Sequence, residues 1–465
     1  MKKIISALLC VMLVFAFAIS CGGENGMTDG GAVGEGSGGN QGITPGTMTA
    51  CAWNDNVYYD MWKNEFRKGQ VGYDYSALGQ EITSVDRNGK MYDYLSDNWG
   101  LNSLKRVKVS VKNGEKPIPN KTITAYDEKG NPEFIAKTDN AGDAFLFPSC
   151  DKGYFTVEGA EENGELIKTN FDGENRSFEV SLAEDGANSD IIQLMFVIDA
   201  TGSMGDEMEY LKVELGDVIR RVVGDSDCKI FLAFLFYRDD GDKEKFAYSD
   251  FADVTEPENY AKNSSLLMNQ KASGGGDYPE ALDEALEIAM GKQWIDGGTK
   301  IIFHLYDAPA HTTNSNKMRF EGAVVSAAKK GIRICPVLAS GANDLCEYLA
   351  RQSAIYTGGT FVWITNDSGI GGDHYDPDVK NAVVERLNDL LVRLINGYKT
   401  GIFADPVPYN GKKPDGEKPD DKTSESTESA SETESIGETE SIGETESNKE
   451  QESSGEAHSD DGASH

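Results

Sequence analysis

The run Ile191–Ile198, eight nearly unbroken apolar residues ending on Asp199, constrains this chain more than any other stretch. A sheet with one wet face keeps every second residue polar, so a run without alternation belongs to a strand covered on both faces, as in a parallel sheet flanked by helices. The chain downstream of Asp199 alternates in kind. Met204, Met208, Leu211, Leu215, Val218, Ile219 and Val222 fall on one helical stripe. Further apolar strands are predicted at Ile230–Tyr237, Ile301–Tyr306, Ile332–Leu338 and Thr360–Ile364, with helices at Pro279–Met290, Lys317–Lys330 and Leu345–Arg351. A last amphipathic helix is expected to carry Val379, Val383, Leu387, Leu391 and Leu394. The fold class is therefore α/β, a doubly wound, Rossmann-like domain over roughly 190–400.

Upstream the period changes to two. Val107, Val109 and Val111 alternate with polar residues, and Thr122–Tyr126, Phe134–Thr138 and Ala144–Phe147 repeat the pattern between Gly/Asn turns. Short strands at this spacing predict a small antiparallel β-sandwich over 104–185. The stretch VKVSVKNGEKPIPNKTITAYDEKGNPEFIAKTDNAGDAFLFP resembles the transthyretin-like or carboxypeptidase-regulatory-like Ig modules of secreted bacterial proteins. That resemblance implies a spacer or binding platform. Residues 51–103, rich in aromatics such as Trp53, Tyr58, Trp62 and Trp99, show no period and read as an irregular lead-in.

Residues 1–21 have the form of an export signal: Lys2 and Lys3, an apolar run from Ile4 to Ile19, then Ser20-Cys21. Small residues before a cysteine resemble the lipobox of bacterial lipoproteins, which implies lipidation at Cys21 and a mature chain starting there. The competing reading is an ordinary secretory signal with an incidental cysteine. The apolar run is too short to span a bilayer, so any membrane attachment would be through lipid alone, on a periplasmic or outer face. Residues 22–50 are expected to be a flexible tether, since Gly22–Gly46 holds 11 glycines in 25 residues. Export leaves Cys51, Cys150, Cys228, Cys335 and Cys346, an odd number with no CxxC pair. A Cys51–Cys150 disulfide is preferred, with buried free thiols the other reading.

The net charge of −34 makes the chain a poor match for phosphate backbones and excludes nucleic-acid binding as the leading class. Thr423–His465 holds 13 acidic residues against Lys449 alone, within a Ser/Glu/Thr-rich tail over 410–465 predicted to be disordered. Most of the excess acid lies elsewhere.

Three acidic loops fall where a doubly wound sheet gathers strand ends. Asp199-Ala200-Thr201-Gly202-Ser203 ends the first buried strand, Gly274-Gly275-Gly276-Asp277-Tyr278-Pro279 opens a helix, and Tyr306-Asp307-Ala308-Pro309 ends another strand. One carboxylate with hydroxyls two and four residues on offers hard oxygen donors, suited to Mg²⁺ (or Mn²⁺ or Ca²⁺). Helix capping by Asp199 is the competing reading. DATGSM, YRDDGD, GGGDYPEAL and YDAPAH together resemble the von Willebrand factor A domain and its metal-ion-dependent adhesion site. The resemblance implies a metal held by Asp199, Thr201, Ser203 and Asp307, with Asp277 standing where the family usually has Thr. It also implies that a Glu or Asp of a bound protein completes the coordination, in a binding module and not an enzyme.

Arg238, Asp239 and His311 are candidate partner contacts on the rim; His304, inside an apolar strand, reads as a core residue. A serine hydrolase would need Gly-x-Ser-x-Gly, which Thr201-Gly202-Ser203-Met204-Gly205 does not supply. A metal-dependent phosphatase using the clustered Asp residues and a purely structural surface spacer stay open beside adhesion.

Overall fold

A computed structural model describes residues 43–63, 95, 98–184, 186–225, 227–377, 379 and 381–411. The export signal with Cys21, the tether through residue 42, most of the lead-in and the tail beyond 411 lie outside the described residues. The first strand, β1 (Thr49–Trp53), comes from the lead-in, not from the α/β stretch. The sandwich follows, and then β2 (Ile191–Asp199), α1 (Met208–Asp225), β3 (Lys229–Tyr237), β4 (Phe246–Tyr248), α2 (Pro257–Asn269) and α3 (Leu282–Met290). The chain continues through β5 (Thr299–Tyr306), α4 (Asn314–Lys330), β6 (Ile332–Leu338), α5 (Asp344–Thr357), β7 (Phe361–Ile364), β8 (Glu385–Arg386) and α6 (Leu387–Thr400).

These strands form one mixed sheet in the order β4-β3-β2-β5-β6-β7-β1-β8, with Ala252–Asp253 added beside β3. Its five central strands, β3-β2-β5-β6-β7, are parallel. The chain leaves β2 to one side for β3 and returns across it to β5, so β2 and β5 flank the topological switch point, where ligands of such sheets bind. Both faces are covered, as the unalternating runs require. Met195, Val197, Ile302 and Ile334 pack in the core that holds α3, α4 and α5. Leu194, Phe196, Ile198 and Phe303 pack in the core that holds α1 and α6. Helix ends follow local chemistry: Thr313 and Asn343 accept from backbone N–H groups at the starts of α4 and α5, and Gly331 and Gly358 close them with φ of 69°.

Several boundaries differ from the sequence reading. Val379 and Val383 fall outside α6, which begins only at Leu387. Helix α2 carries few apolar residues, with Leu267 its buried one, and for that reason left no periodic trace. The N-terminal stretch is docked earlier than a tether to residue 50 would allow. The Glu214 carboxylate on α1 accepts from the backbone N–H groups of Gly46, Thr47 and Met48 at 2.7, 2.7 and 2.9 Å. Strand β1 then pairs antiparallel with both β7 and β8. All five cysteines outside the signal are free thiols, which corrects the Cys51–Cys150 pairing. Cys51 is buried inside β1, and burial pushes its thiol up to about 12.

The sandwich consists of two four-stranded sheets with buried Val107, Val109 and Val111 on the inner face. One pairing is parallel, Ser177–Ser181 beside Val107–Asn113, where the sequence suggested antiparallel strands throughout. The sandwich packs on the α/β domain within one compact unit. Phe147 stacks on Tyr356 of α5 with ring centroids 4.3 Å apart, and Asn140 Nδ2 donates to Tyr398 O and Thr299 Oγ1 at 2.7 and 2.9 Å. Among the described residues no helix is long and apolar enough to cross a membrane.

Candidate metal centre

Asp199, the last residue of β2, is fully buried. Its Oδ1 accepts from the Thr201 amide at 2.9 Å and the Thr201 hydroxyl at 2.7 Å, and that hydroxyl lies 3.1 Å from Ser203 Oγ. Asp307, just beyond β5, is also buried, and the nearby Ser203 side chain favours its ionised form. Four of the predicted ligands, Asp199, Thr201, Ser203 and Asp307, are thus brought into one connected cluster at the switch point. Two of its oxygens, Asp199 Oδ2 and Asp307 Oδ1, are buried without a hydrogen-bond partner.

Such orphans are expensive, because a buried carboxylate oxygen has lost water and gained nothing in return. The electrostatics reflect this. Burial, and then the charge of Asp307, push Asp199 up to about 8 against the opposing Thr201 hydrogen bonds. Asp307 is raised to about 6, by burial first and with the charges of Glu207 and Asp206 adding, while the nearby Ser203 works against the shift. A hard divalent cation among these oxygens would supply the missing counter-charge, so the donor set fits the group. Among the described residues no cluster of three or more His, Cys, Asp or Glu side chains is arranged to hold a metal; the fitting set is carboxylate plus hydroxyl.

The glycine-rich loop is placed beside this cluster by backbone contacts. Gly202 N donates to Gly274 O at 3.1 Å and Ser273 N to Ala200 O at 2.9 Å. Gly274 and Gly275 adopt φ of 81° and 75°; a Cβ on the latter would stand 2.8 Å from Glu280 Oε1 and 3.3 Å from Thr201 Cβ. Asp277 itself is exposed on the loop. The acid that the loop buries is Glu280, three residues on, with Oε2 unpartnered. Burial first, then the charges of Asp199, Asp239, Asp307 and Asp242, push it up to about 9. The sequence reading missed Glu280 and started the helix at Pro279, three residues before α3 begins at Leu282; the signal was an acid between Pro279 and apolar Ala281-Leu282. It also missed Glu207, buried behind Asp307, whose Oε1 accepts from Ser340 N at 3.0 Å and lies 2.6 Å from His374 Nε2.

The three rim residues are not equivalent. Arg238 is buried and donates to three backbone carbonyls, Ser273 O, Glu244 O and Lys271 O, so it braces the glycine loop instead of facing a partner. Asp239 is buried too, with His311 Nε2 at 2.7 Å from its Oδ1. His311 is partly exposed and alone keeps a rim position. His304 is a core residue, 3.4 Å from the Tyr237 hydroxyl, its pKa lowered to about 3 by burial.

Comparison with known proteins agrees with this fold. The von Willebrand factor A domain family matches residues 193–344, so a von Willebrand factor A domain is present there. The chain is 27% identical over 134 residues to an alpha-protein kinase, vwkA, of Dictyostelium discoideum, covering 28% of this chain and 20% of that protein. It is 32% identical over 97 residues to the von Willebrand factor A domain-containing protein 7 of Mus musculus, covering 21% and 10%. The chain therefore spans a fifth or less of these curated relatives.

Proposed function

We propose that this protein binds another protein through a divalent cation, Mg²⁺ or else Mn²⁺ or Ca²⁺, held at the switch point of its von Willebrand factor A domain. The observation that carries the reading is the pair of buried, partnerless carboxylate oxygens, Asp199 Oδ2 and Asp307 Oδ1, beside the hydroxyls of Thr201 and Ser203. Asp199, Thr201, Ser203 and Asp307 would hold the ion. When bound, it supplies a Lewis-acidic site for one carboxylate from the partner. The chain's own residues do the rest: Thr201 orients Asp199 through two hydrogen bonds, and Arg238 holds the glycine loop in place. Adhesion by a Glu or Asp of the partner is favoured over phosphoester hydrolysis, since the cluster is a ligand set without an assigned nucleophile.

The decisive experiment is thermal unfolding with Mg²⁺ and with EDTA. A ligand at a hundred times its Kd stabilises by about 2.7 kcal/mol, so the midpoint should rise by several degrees in the wild type and not in Asp199→Ala. A midpoint indifferent to both changes overturns the reading. The same proposal has the chain exported and tethered by lipid at Cys21, on the cell surface or facing a periplasm. Incorporation of labelled palmitate that vanishes in Cys21→Ala would support it, and labelling unchanged in that variant would refute it.

A further inference from the structure

Away from the sheet ends, residues 57–63 and the sandwich turns around Lys105, Asp151 and Glu174 border an open cavity of about 760 Å³. That size lies within the ~300–1,000 Å³ of small-molecule sites. Two guanidiniums line it. Arg106 lies over the Tyr59 ring, 3.7 Å from the centroid, and its Nη1 donates to Asn56 O at 2.7 Å and Asn56 Oδ1 at 3.0 Å. Arg176 donates from Nη1 to Lys105 O at 2.6 Å and from Nη2 to Cys150 O and Asp151 O at 3.2 and 2.8 Å.

Every one of these acceptors is neutral. Among the described residues neither guanidinium has a carboxylate in ion-pair contact: Asp60 is taken by Lys63 at 3.0 Å and Asp151 by Lys105 at 3.1 Å. Carbonyls orient a guanidinium without cancelling its charge. On Arg106 they also occupy only Nη1, leaving without an acceptor among the described residues the Nε/Nη2 edge, the edge by which a guanidinium receives an oxyanion in bidentate fashion. The platform is fixed beforehand, since the Tyr59 hydroxyl donates to Ser103 O at 2.7 Å and accepts from Arg106 N at 3.0 Å. In a chain of net charge −34, two guanidiniums whose hydrogen-bond acceptors are all neutral thus meet at one cavity, with the nearby carboxylates of Asp60 and Asp151 engaged by lysines.

We propose that this cavity binds a small organic oxyanion, a carboxylate or phosphate on a body of up to about disaccharide or tripeptide size, held by Arg106 and Arg176 against the tyrosines of residues 57–63. The site is independent of the metal centre. Titration calorimetry of the full chain in EDTA should use three charged probes, digalacturonate, triglutamate and inorganic pyrophosphate, with neutral cellobiose as control. At least one charged probe should bind with Kd below about 1 mM, weaken as salt rises, and identify the source of the oxyanion. Arg106→Gln and Arg176→Gln should each weaken it about tenfold or more, the loss of a charge-assisted hydrogen bond. Glu174→Gln, on an exposed turn and removing the lining acid that has no ion-pair partner among the described residues, should tighten it. The proposal is overturned if no charged probe binds, if cellobiose binds equally, or if affinity is unchanged in the Arg176 and Glu174 variants, which stand even should Arg106→Gln fold poorly. Failure of Mg²⁺ to stabilise the chain would sink the metal reading and leave this one untouched.

Discussion

Gly275 shows how little room the metal centre leaves. Its φ of 75° is in the left-handed region, and an added Cβ would press on Glu280 Oε1 and Thr201 together. Neighbouring Gly276 has nothing within 4 Å of such a Cβ. Gly275→Ala is therefore expected to cost about 1–2 kcal/mol of stability from backbone strain alone and to blunt the Mg²⁺-induced rise in melting midpoint. Gly276→Ala should leave both within error. Differential scanning fluorimetry of the two variants with and without Mg²⁺ checks this. A second comparison separates the loop's two acids. Asp277→Asn, at an exposed position, should retain the Mg²⁺ response that Asp307→Asn loses; loss in both would return Asp277 to the ligand set. Asp199, Thr201, Ser203 and Asp307 were legible because each sits at a fixed offset from the end of a strand that the apolar run announces. Glu280 and Glu207 were not, because their burial depends on loops from three or more elements closing around them, and no local pattern encodes that.

Among the elements, β1 departs most from what the sequence displays. Five residues after a glycine-rich stretch have no period to read, and its partners β7 and β8 lie more than 300 residues away in the chain. What fixes it is one side chain on another element, Glu214, which satisfies three consecutive backbone donors. Glu214→Ala would leave those donors without their acceptor in a largely buried setting, at about 1–3 kcal/mol for each hydrogen bond to a charged group. The expected outcome is a lower urea midpoint together with faster amide exchange across Thr49–Trp53 than across β2. Glu214→Gln, which keeps an acceptor oxygen, should recover part of the loss. Equal exchange of β1 in wild type and Glu214→Ala would show that pairing with β7 alone holds the strand. The parallel strands β2, β3, β5, β6 and β7 were legible throughout, since burial on both faces writes itself into composition.

At the scale of the molecule, the sandwich and the α/β domain share one hydrophobic core, and a buried cation lies where they meet, at the end of the sheet opposite the metal centre. Lys300, at the start of β5, is 4% exposed, and burial, with the positive charges of Lys137 and Arg333 adding, lowers its ammonium to about 8. Asp296, 3.9 Å away and 75% exposed, compensates weakly. Lys300 binds its proton less tightly in the folded chain than in the unfolded one, so between about pH 8 and 10.5 the unfolded state holds more protons and stability rises with pH. Below pH 8 both states are protonated and the folded chain bears the full penalty, on the order of 3 kcal/mol. Lys300→Met removes a charge and keeps the apolar stem, and is expected to unfold at higher urea than the wild type at pH 7. The gap between the two should narrow steadily from pH 8 to pH 10 as the wild type sheds its proton. Measuring the difference cancels the tyrosines and thiols that titrate in the same window. A gap constant with pH would mean that Lys300 keeps its proton in the fold, and that the junction between the two domains tolerates the charge through water instead of expelling it.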